Sequence, residues 1–286
     1  MKNRIKYLKT QDFCFTVIGA SVLVLILSLL VYLVFDMLCS GLSRLSVQFL
    51  ISFPSRFADT AGILSAWVGT LVVVLVTGLL FIPIGLGSGI YLEEYAKKNK
   101  LTRFIEISIQ NLAGVPSIIY GLMALSLFVM QFKMGQSILT AACTLGLLIM
   151  PIIIVTTREA LKTVPQSVKE ASYSLGATTG QTIFFHVLPY SLGGVMTGII
   201  VAISRAIGET APLVTVGALT YIAFLPTNIM DPYTVLPIQI FNWISRPQKE
   251  FHTDAAAAGI ILIALTVSLN LIAIIIRYKF RRKYKW

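Results

Sequence analysis

Long apolar runs recur along this chain, and they limit the folds that are open to it. The first run begins near Phe13 and continues almost unbroken to Cys39, which is farther than the apolar core of a signal peptide extends. Hydrophobic residues make up 56% of the chain, charged residues make up 12%, and the mean hydropathy is +0.84. A soluble domain has about a quarter of its residues charged, so this chain lacks the polar surface to face water on all sides. The sequence therefore predicts an all-α polytopic membrane protein.

Six apolar runs are long enough to cross a bilayer, which takes roughly 20 apolar residues in a helix. Two of them exceed a straight crossing and are expected to tilt or to extend beyond the hydrocarbon. An outer stretch, residues 225–254, carries four prolines among apolar residues and is predicted to dip back toward the membrane or to form a short helix at the outer face. The six predicted spans are Phe13–Cys39, Ala61–Tyr91, Phe104–Phe132, Ser137–Thr157, Tyr190–Phe224 and Ala255–Ile276.

The basic residues indicate the orientation, because cytoplasmic loops are enriched in lysine and arginine. Seventeen of the 23 basic residues fall on one side of the predicted spans, which places both termini in the cytoplasm. Short basic blocks between apolar runs also account for the net charge of +11, so no nucleic-acid partner is expected. These 17 residues are Lys2, Arg4, Lys6, Lys9, Lys97, Lys98, Lys100, Arg103, Arg158, Lys162, Lys169, Arg277, Lys279, Arg281, Arg282, Lys283 and Lys285.

One charged pair lies inside an apolar run. Arg205 and Glu209 are four residues apart in the predicted fifth span, a spacing that places both on one face of a helix. A charge at the bilayer centre costs about 2.5–3.5 kcal/mol, so the pair is expected to face the protein interior or a wet cavity. The arginine fork suits an oxyanion, and the glutamate can neutralise it when no anion is bound. The alternative is an internal salt bridge that holds two helices in register.

The predicted cytoplasmic loop between the fourth and fifth spans contains a short helical segment, Ser167–Leu175. Gly176 can adopt the left-handed conformation that ends a helix, and Pro189 suits the first turn of the following membrane helix. The small side chain of Ala171 leaves room on one face of the segment, which would let another protein approach closely. On spacing alone, an ordinary loop helix with a glycine cap explains this segment equally well.

This loop resembles the EAA loop of ABC importer permeases, whose pattern is Glu-Ala-Ala, three residues, Gly, nine residues, Ile, one residue and Leu-Pro. Ser172 replaces the second alanine, and His186 replaces the isoleucine. The resemblance implies that the loop docks on a cytoplasmic ATPase and couples it to the membrane helices. The residues that match in register are Glu170, Ala171, Gly176, Leu188 and Pro189.

The residues around the charged pair resemble a second motif. The sequence Arg-Ala-Ile-Gly-Glu-Thr-Ala-Pro-Leu, residues 205–213, is similar to the permeases of phosphate-specific transport systems, and its last three residues favour the PstA-type over the PstC-type subunit. Residues 90–95, 114–121 and 174–178 agree with the same family. The resemblance implies that Arg205 and Glu209 act in the translocation or gating of phosphate.

The same resemblance implies a type I ABC importer permease fold in the prokaryotic plasma or inner membrane. Residues 1–60 would form an N-terminal transmembrane helix and outer loop, and residues 61–286 the permease domain. The expected partners are a related PstC-type permease, a cytoplasmic ATPase dimer, an extracytoplasmic phosphate-binding protein and membrane lipid. Phosphate would cross by alternating access, driven by ATP hydrolysed on the ATPase.

The sequence gives no sign that this chain is itself an enzyme. It has no Walker A pattern, and the glycine-rich stretch Gly85–Gly89 lacks the lysine that would reach phosphates, so close helix packing is its expected role. No catalytic, metal-binding or cofactor-binding set is recognisable, which argues against a membrane-embedded enzyme. Two alternatives stay open. One is an ABC permease for another oxyanion, such as molybdate or sulfate, and the other is an ion-coupled secondary transporter that uses Glu209 as a proton carrier.

Overall fold

The computed structural model describes residues 2–219 and 221–283, so the basic residue Lys285 lies outside the described part. Within that part, helices predominate and the β-type pairing is an isolated bridge between Ser137 and Pro232. Five helical runs are long and apolar enough to span a membrane, and there is a sixth if one bent pair of helices is counted as a single span. The predicted all-α polytopic fold is confirmed. The helices are α1 Lys2–Gly41, α2 Val47–Ile51, α3 Leu64–Ile90, α4 Lys100–Leu112, α5 Ser117–Ala124, α6 Ile138–Lys162, α7 Gln166–Ser174, α8 Thr179–Thr182, α9 Leu188–Gly208, α10 Ala211–Val216, α11 Leu236–Ile244 and α12 Lys249–Lys283, with π-helical turns at Tyr91–Tyr95, Leu125–Gln131 and Ile183–Val187.

The third predicted span is not the single helix that the apolar run Phe104–Phe132 suggests. Helix α4 ends at Leu112 and α5 begins at Ser117, and the two are bent by 105°. Pro116 is the physical cause of the break. Its nitrogen has no hydrogen to donate, and its ring keeps the preceding residue away from helical backbone angles.

The fifth predicted span is displaced toward the loop that precedes it. Helical backbone runs over Thr179–Gly208 instead of the predicted Tyr190–Phe224. It begins early because Thr178 forms a capping box with the first turn. It ends early because, in a continuous helix, the ring of Pro212 would clash with the carbonyl group of Gly208, four residues before it.

Helix α6 is the central helix, packed on α3 along one side and on α9 along the other. Small residues on α3 allow the close approach. A Cβ atom added at Gly85 would lie 2.8 Å from the side chain of Ile153, and one at Gly89 would lie 2.8 Å from that of Thr157. The predicted packing role therefore holds for Gly85 and Gly89, whereas Gly87 faces open space.

The stretch of residues 225–254 packs against the helical bundle and forms the short helix that is one of the two predicted alternatives. Its extended part lies against α3, where a Cβ atom on Gly69 would be 2.1 Å from the carbonyl oxygen of Thr234. The amide of Leu236 then donates to the hydroxyl of Thr70 at 2.9 Å. Helix α11 follows and packs on α12. The stretch therefore packs on both α3 and α12.

Two carboxylates hold this outer region together. Asp254 is buried in the first turns of α12 and accepts a hydrogen bond from Nε of Arg44 at 2.6 Å. Asp231 accepts hydrogen bonds from the amides of Thr227 and Asn228, both at 2.8 Å. These bonds stabilise the ionised carboxylate and hold the pKa of Asp231 below its ordinary value.

Replacing Gly85 with leucine should destabilise the bundle, because the new side chain has no room beside Ile153. Overpacking of this kind costs about 1–3 kcal/mol, so the melting temperature of the purified chain should fall. Thermal unfolding followed by tryptophan fluorescence measures the change. The matched control is Gly87→Leu, at which the side chain meets open space. Equal melting temperatures for the Gly85→Leu variant and the wild type would contradict the packing of α3 on α6.

Candidate functional site

The structure places Arg205 and Glu209 in direct contact. Nε of Arg205 donates to Oε1 of Glu209 at 3.0 Å. The geometry differs from the prediction in one respect, because α9 ends at Gly208 and Glu209 already has extended backbone with a ψ of 126°. The pair therefore bridges the end of a helix instead of lying on one helical face. The guanidinium sits in the last turn of α9, where the helix dipole favours a positive charge.

Arg205 keeps part of its hydrogen-bonding capacity open. In the isolated chain 37% of its side chain is exposed, compared with 15% for Glu209. Among the described residues, Nε is the only guanidinium atom of Arg205 that takes part in a hydrogen bond. The two terminal nitrogens can therefore donate to another group. A planar fork of this kind can hold an oxyanion through two charge-assisted hydrogen bonds.

Two motifs that are distant in the sequence meet beside this pair. Helix α10 packs on α5, where a Cβ atom on Gly121 would lie 2.7 Å from Cα of Pro212. Tyr120 donates its hydroxyl hydrogen to the carbonyl oxygen of Leu112 at 2.8 Å, across the break between α4 and α5. Pro212 follows Glu209 by three residues, which places the contact between Pro212 and Gly121 beside the ion pair. The candidate site thus lies where two broken helical runs come together.

The loop with the EAA-type pattern forms the expected helix and cap. Helix α7 agrees with the predicted segment to within one residue at each end. Gly176 has a φ of +85°, the left-handed conformation that the sequence predicts. The amides of Gly176 and Ala177 donate to the carbonyl oxygens of Tyr173 at 2.9 Å and Ser172 at 3.2 Å. This pair of hydrogen bonds is the Schellman motif, which satisfies the last carbonyls of a helix.

One side of α7 is free in the isolated chain. Glu170 and Ala171 are exposed, and Leu175 is 90% exposed. Ser172 is buried, and its hydroxyl oxygen lies 2.9 Å from that of Thr182. The serine that replaces the motif's second alanine therefore ties α7 to α8. The exposed side presents a small residue and a large apolar one to solvent, as an unoccupied docking surface would.

Leu188 and Pro189 begin α9 directly after a π-helical turn. The turn, Ile183–Val187, is part of one continuous helical run that starts at Thr179. Pro189 lies in the first turn of α9, as the sequence predicts. Because proline has no N–H to donate, the change in hydrogen-bond register at the π-turn suits its position. His186, which departs from the motif, is a half-buried residue of this turn.

A set of ion pairs near α7 was not predicted from the sequence. Lys169 of α7 lies 2.6 Å from Glu94. Arg158 lies 2.8 Å from Glu106 and 3.4 Å from Glu93. The side chains of Glu94 and Arg158 are only 6% and 10% exposed. The pairs link the π-helical turn after α3 with α4, α6 and α7, and finding them requires knowledge of which helices are neighbours.

The described residues can interact with a ligand through charge and hydrogen bonds. Residues 2–219 and 221–283 hold no group of three or more His, Cys, Asp or Glu side chains that could bind a metal ion. The cysteines Cys14, Cys39 and Cys143 are free thiols. The arrangement around Arg205 can attract, orient and release an anion, since an arginine and a carboxylate in contact can exchange partners without any covalent step.

Comparison with protein families and curated proteins places these features in context. The family model described as "Binding-protein-dependent transport system inner membrane component" matches residues 82–286. The probable ABC transporter permease protein YqgI of Bacillus subtilis is 30% identical, over 86% of this chain and 88% of its own length. The phosphate transport system permease protein PstA of Yersinia pestis is 33% identical, over 86% and 83%. PstA 1 of Mycobacterium tuberculosis is 32% identical, over 80% and 74%.

Solved structures share the fold at lower sequence identity. The inward-facing MetNI methionine ABC transporter aligns with a TM-score of 0.60 at 20% identity, over 74% of this chain and 93% of the matched chain. An amino acid ABC transporter crystallised with histidines aligns with a TM-score of 0.53 at 16% identity, over 77% and 93%. The type I ABC importer permease fold expected from the sequence is confirmed.

Breaking the Glu94–Lys169 pair should loosen α7. The Lys169→Glu variant places two carboxylates together at a nearly buried site, so the melting temperature of the purified chain should fall. The double variant Glu94→Lys/Lys169→Glu restores opposite charges and should recover much of the loss. Lys162→Glu is the control, because its ion pair with Glu159 is exposed and such pairs contribute about 0–1 kcal/mol. If Lys169→Glu and Lys162→Glu have equal effects, the buried pair does not hold α7.

Proposed function

This chain belongs to the family of inner membrane components of binding-protein-dependent transport systems, and we propose that it carries inorganic phosphate across the membrane. As an ABC importer permease, it is a multi-pass membrane protein that works with ATPase and substrate-binding partners and has no catalytic activity of its own. The phosphate assignment rests on one observation above all. A membrane-spanning segment presents an arginine fork with free donors at a helix break, within the motif that resembles phosphate permeases.

The geometry of the fork supports an oxyanion as the cargo. The planar guanidinium of Arg205 can bind two oxygens at once. Glu209 occupies one side of the fork at 3.0 Å and would neutralise the arginine when the pathway is empty. An arriving phosphate would bind the free terminal nitrogens and would compete with Glu209 for the positive charge of the guanidinium. The pair can therefore act both as a strut and as a gate that the anion releases.

Partners complete the proposed transporter. A related permease of the PstC type would cover the face on which Arg205 is exposed. An extracytoplasmic phosphate-binding protein would deliver the anion, and a cytoplasmic ATPase dimer would drive alternating access. The exposed residues Glu170 and Ala171 of α7, with Leu175 directly after it, fit a surface that docks on the ATPase.

The route of coupling from α7 follows from its attachments. Gly176 ends α7 and turns the chain toward α8. Ser172 and Lys169 attach α7 to Thr182 and Glu94. A push on α7 would thus reach α3 and the run that leads into α9 together. Leu188 and Pro189, at the start of α9, lie on that second path.

We further propose an inner-membrane location with both termini in the cytoplasm, and a division of the chain near residue 60. The distribution of lysine and arginine supports the orientation. Helix α1 is exposed along most of its length and packs mainly on α12, which supports a separate role for residues 1–60.

Accessibility to an impermeant thiol reagent tests the orientation. In a variant without native cysteines, cysteine at Gln136 or Asn228 should react in intact cells, because both positions lie on the outer side of the membrane in the proposed topology. Cysteine at Lys98 or Thr178 should react after permeabilisation alone. Labelling of the Thr178→Cys variant in intact cells would reverse the orientation and remove α7 from the ATPase side.

Substituting valine at Gly176 tests the coupling role. A β-branched residue resists the left-handed conformation at this position, so the variant should insert normally but co-purify with less ATPase. Substrate-stimulated ATP hydrolysis should fall by about tenfold, the change expected for a loss of about 1.4 kcal/mol in docking. Gly180→Val is the matched control, because Gly180 has ordinary helical backbone and space for a side chain. Wild-type co-purification and hydrolysis in the Gly176→Val variant would exclude the docking role.

Substitutions at Arg205 test the phosphate site. The Arg205→Gln variant should insert and assemble but lose phosphate uptake in a strain without other phosphate importers. Lysine at this position should recover part of the uptake, since it keeps the charge but loses the two-pronged fork. Full uptake by the Arg205→Gln variant would refute a role for the fork.

A double variant separates the gate from a simple strut. Removing both members of a buried ion pair strands no charge, whereas removing one member does. If Arg205 only braces Glu209, the Arg205→Gln/Glu209→Gln variant should regain much of the uptake that Arg205→Gln loses. We expect the double variant to stay inactive while it still assembles with the ATPase, because the anion then meets no guanidinium.

A further inference from the structure

Helix α4 turns its apolar residues away from the protein. On its polar side, Glu106 forms an ion pair with Arg158 of α6 at 2.8 Å. On its other side, the large side chains of Leu101 and Phe104 are 66% and 69% exposed. An amphipathic helix that packs in a soluble protein has the opposite orientation, with its apolar stripe toward the core. The outward stripe indicates a hydrocarbon environment beside α4.

An open cavity of about 630 Å³ lies next to the polar side of α4, between the end of α3, the first turn of α4 and the end of α6. Its lining is rich in positive charge and includes two carboxylates, those of Glu93 and Glu106. The size is sufficient for a phosphorylated head group and its water. The basic residues that line the cavity are Lys98, Lys100, Arg103, Arg158 and Lys162.

Three of these basic side chains have no carboxylate of their own. The charge of Arg158 is matched by Glu93 and Glu106, and Lys162 pairs with Glu159. In the part of the chain that the structure describes, Lys98, Lys100 and Arg103 have no ion pair, and all three are exposed. The cavity therefore presents an uncompensated positive charge directly beside an exposed apolar helix face.

We propose that this cavity binds the head group of an anionic phospholipid of the inner leaflet, with the acyl chains lying along the apolar side of α4. Basic pockets between membrane helices on the cytoplasmic side are suited to anionic head groups, and each lysine or arginine near such a surface strengthens binding by about fivefold. Interfacial helices bind through a buried apolar face combined with attraction to anionic lipid. The proposal places this end of the molecule in the cytoplasmic leaflet, in agreement with the orientation proposed above.

The apolar face is what distinguishes a lipid from a free phosphate. A soluble anion would use the three cations but would gain nothing from Leu101 and Phe104. The charge pattern also favours lipid over a partner protein. The cations lie next to the first apolar side chains of α4, just as the charged head group of a lipid lies next to the start of its acyl chains. The proposed lipid would brace the same helix end that Arg158 ties to α6.

Photocrosslinking of lipid to α4 tests the proposal. The assembled transporter, with its partner subunits, is placed in phosphatidylcholine vesicles that contain a lipid probe with a photoreactive acyl chain. The probe has a phosphatidylglycerol head group in one sample and a phosphatidylcholine head group in the other. Mass spectrometry then measures the lipid attached to residues 100–112. We expect a preference for phosphatidylglycerol in the wild type and a fall in that preference of about tenfold or more in the Lys98→Gln/Lys100→Gln/Arg103→Gln variant. The Arg4→Gln/Lys9→Gln/Lys279→Gln control removes the same charge elsewhere on exposed positions and should keep the preference.

Three results would overturn the proposal. The first is an equal preference for phosphatidylglycerol in the wild type and in the cavity variant. The second is displacement of the lipid by excess inorganic phosphate at unchanged ionic strength, which would make the cavity a site for a free anion. The third is crosslinking of a photoreactive residue at position 104 to a partner permease in place of lipid. Retention of the preference in the control, together with its loss in the cavity variant, supports the lipid site whatever anion the transporter carries.

Discussion

A protonated arginine inside a membrane-spanning segment is the constraint on which the rest of this structure depends. Lipid cannot solvate the guanidinium of Arg205, so the protein must supply both a counter-charge and a polar environment. Pro212 makes this possible, because it ends α9 at Gly208 and lets Glu209 fold back over the end of the helix. Residues 211–216 then turn onto α5, which is itself separated from α4 by a proline break. The interrupted runs α4–α5 and α9–α10 therefore meet beside the charge of Arg205.

The central helices are closely packed and continuous, whereas the runs α4–α5 and α9–α10 are interrupted. Helix α6 is packed closely on α3 and α9 through glycines, and contacts such as that between Gly85 and Ile153 leave no room for sliding. At one end, the ion pairs of Arg158 and Lys169 bind α6 and α7 to α3 and α4. Motion that changes access to Arg205 is thus expected to occur at the breaks near Pro116 and Gly208. The packed helices would carry force from α7 to those points.

Composition and proline position explain which parts of the fold could be predicted. Apolar runs identified the spans, and the Gly176 cap followed from the special backbone freedom of glycine. Hydropathy continues across Pro116 and Pro212, so the sequence predicts an unbroken helix for the third span and places the fifth span too late in the chain. Both prolines are visible in the sequence. The contact between Arg205 and Glu209 was predicted, but its position at a helix end was not. The pairing of Lys169 with Glu94 could not be inferred, since it joins residues 75 positions apart.

The most direct test of the account is uptake by vesicles that contain the purified chain assembled with its partner permease, ATPase and binding protein. Labelled phosphate, sulfate and molybdate are supplied in turn on the outer side, with and without ATP on the ATPase side. We expect accumulation of phosphate that requires ATP, with little accumulation of the other two anions. Uptake that prefers sulfate or molybdate would contradict the assignment of phosphate. Uptake that persists without ATP and stops when the proton gradient is dissipated would contradict the proposed ATP-driven mechanism.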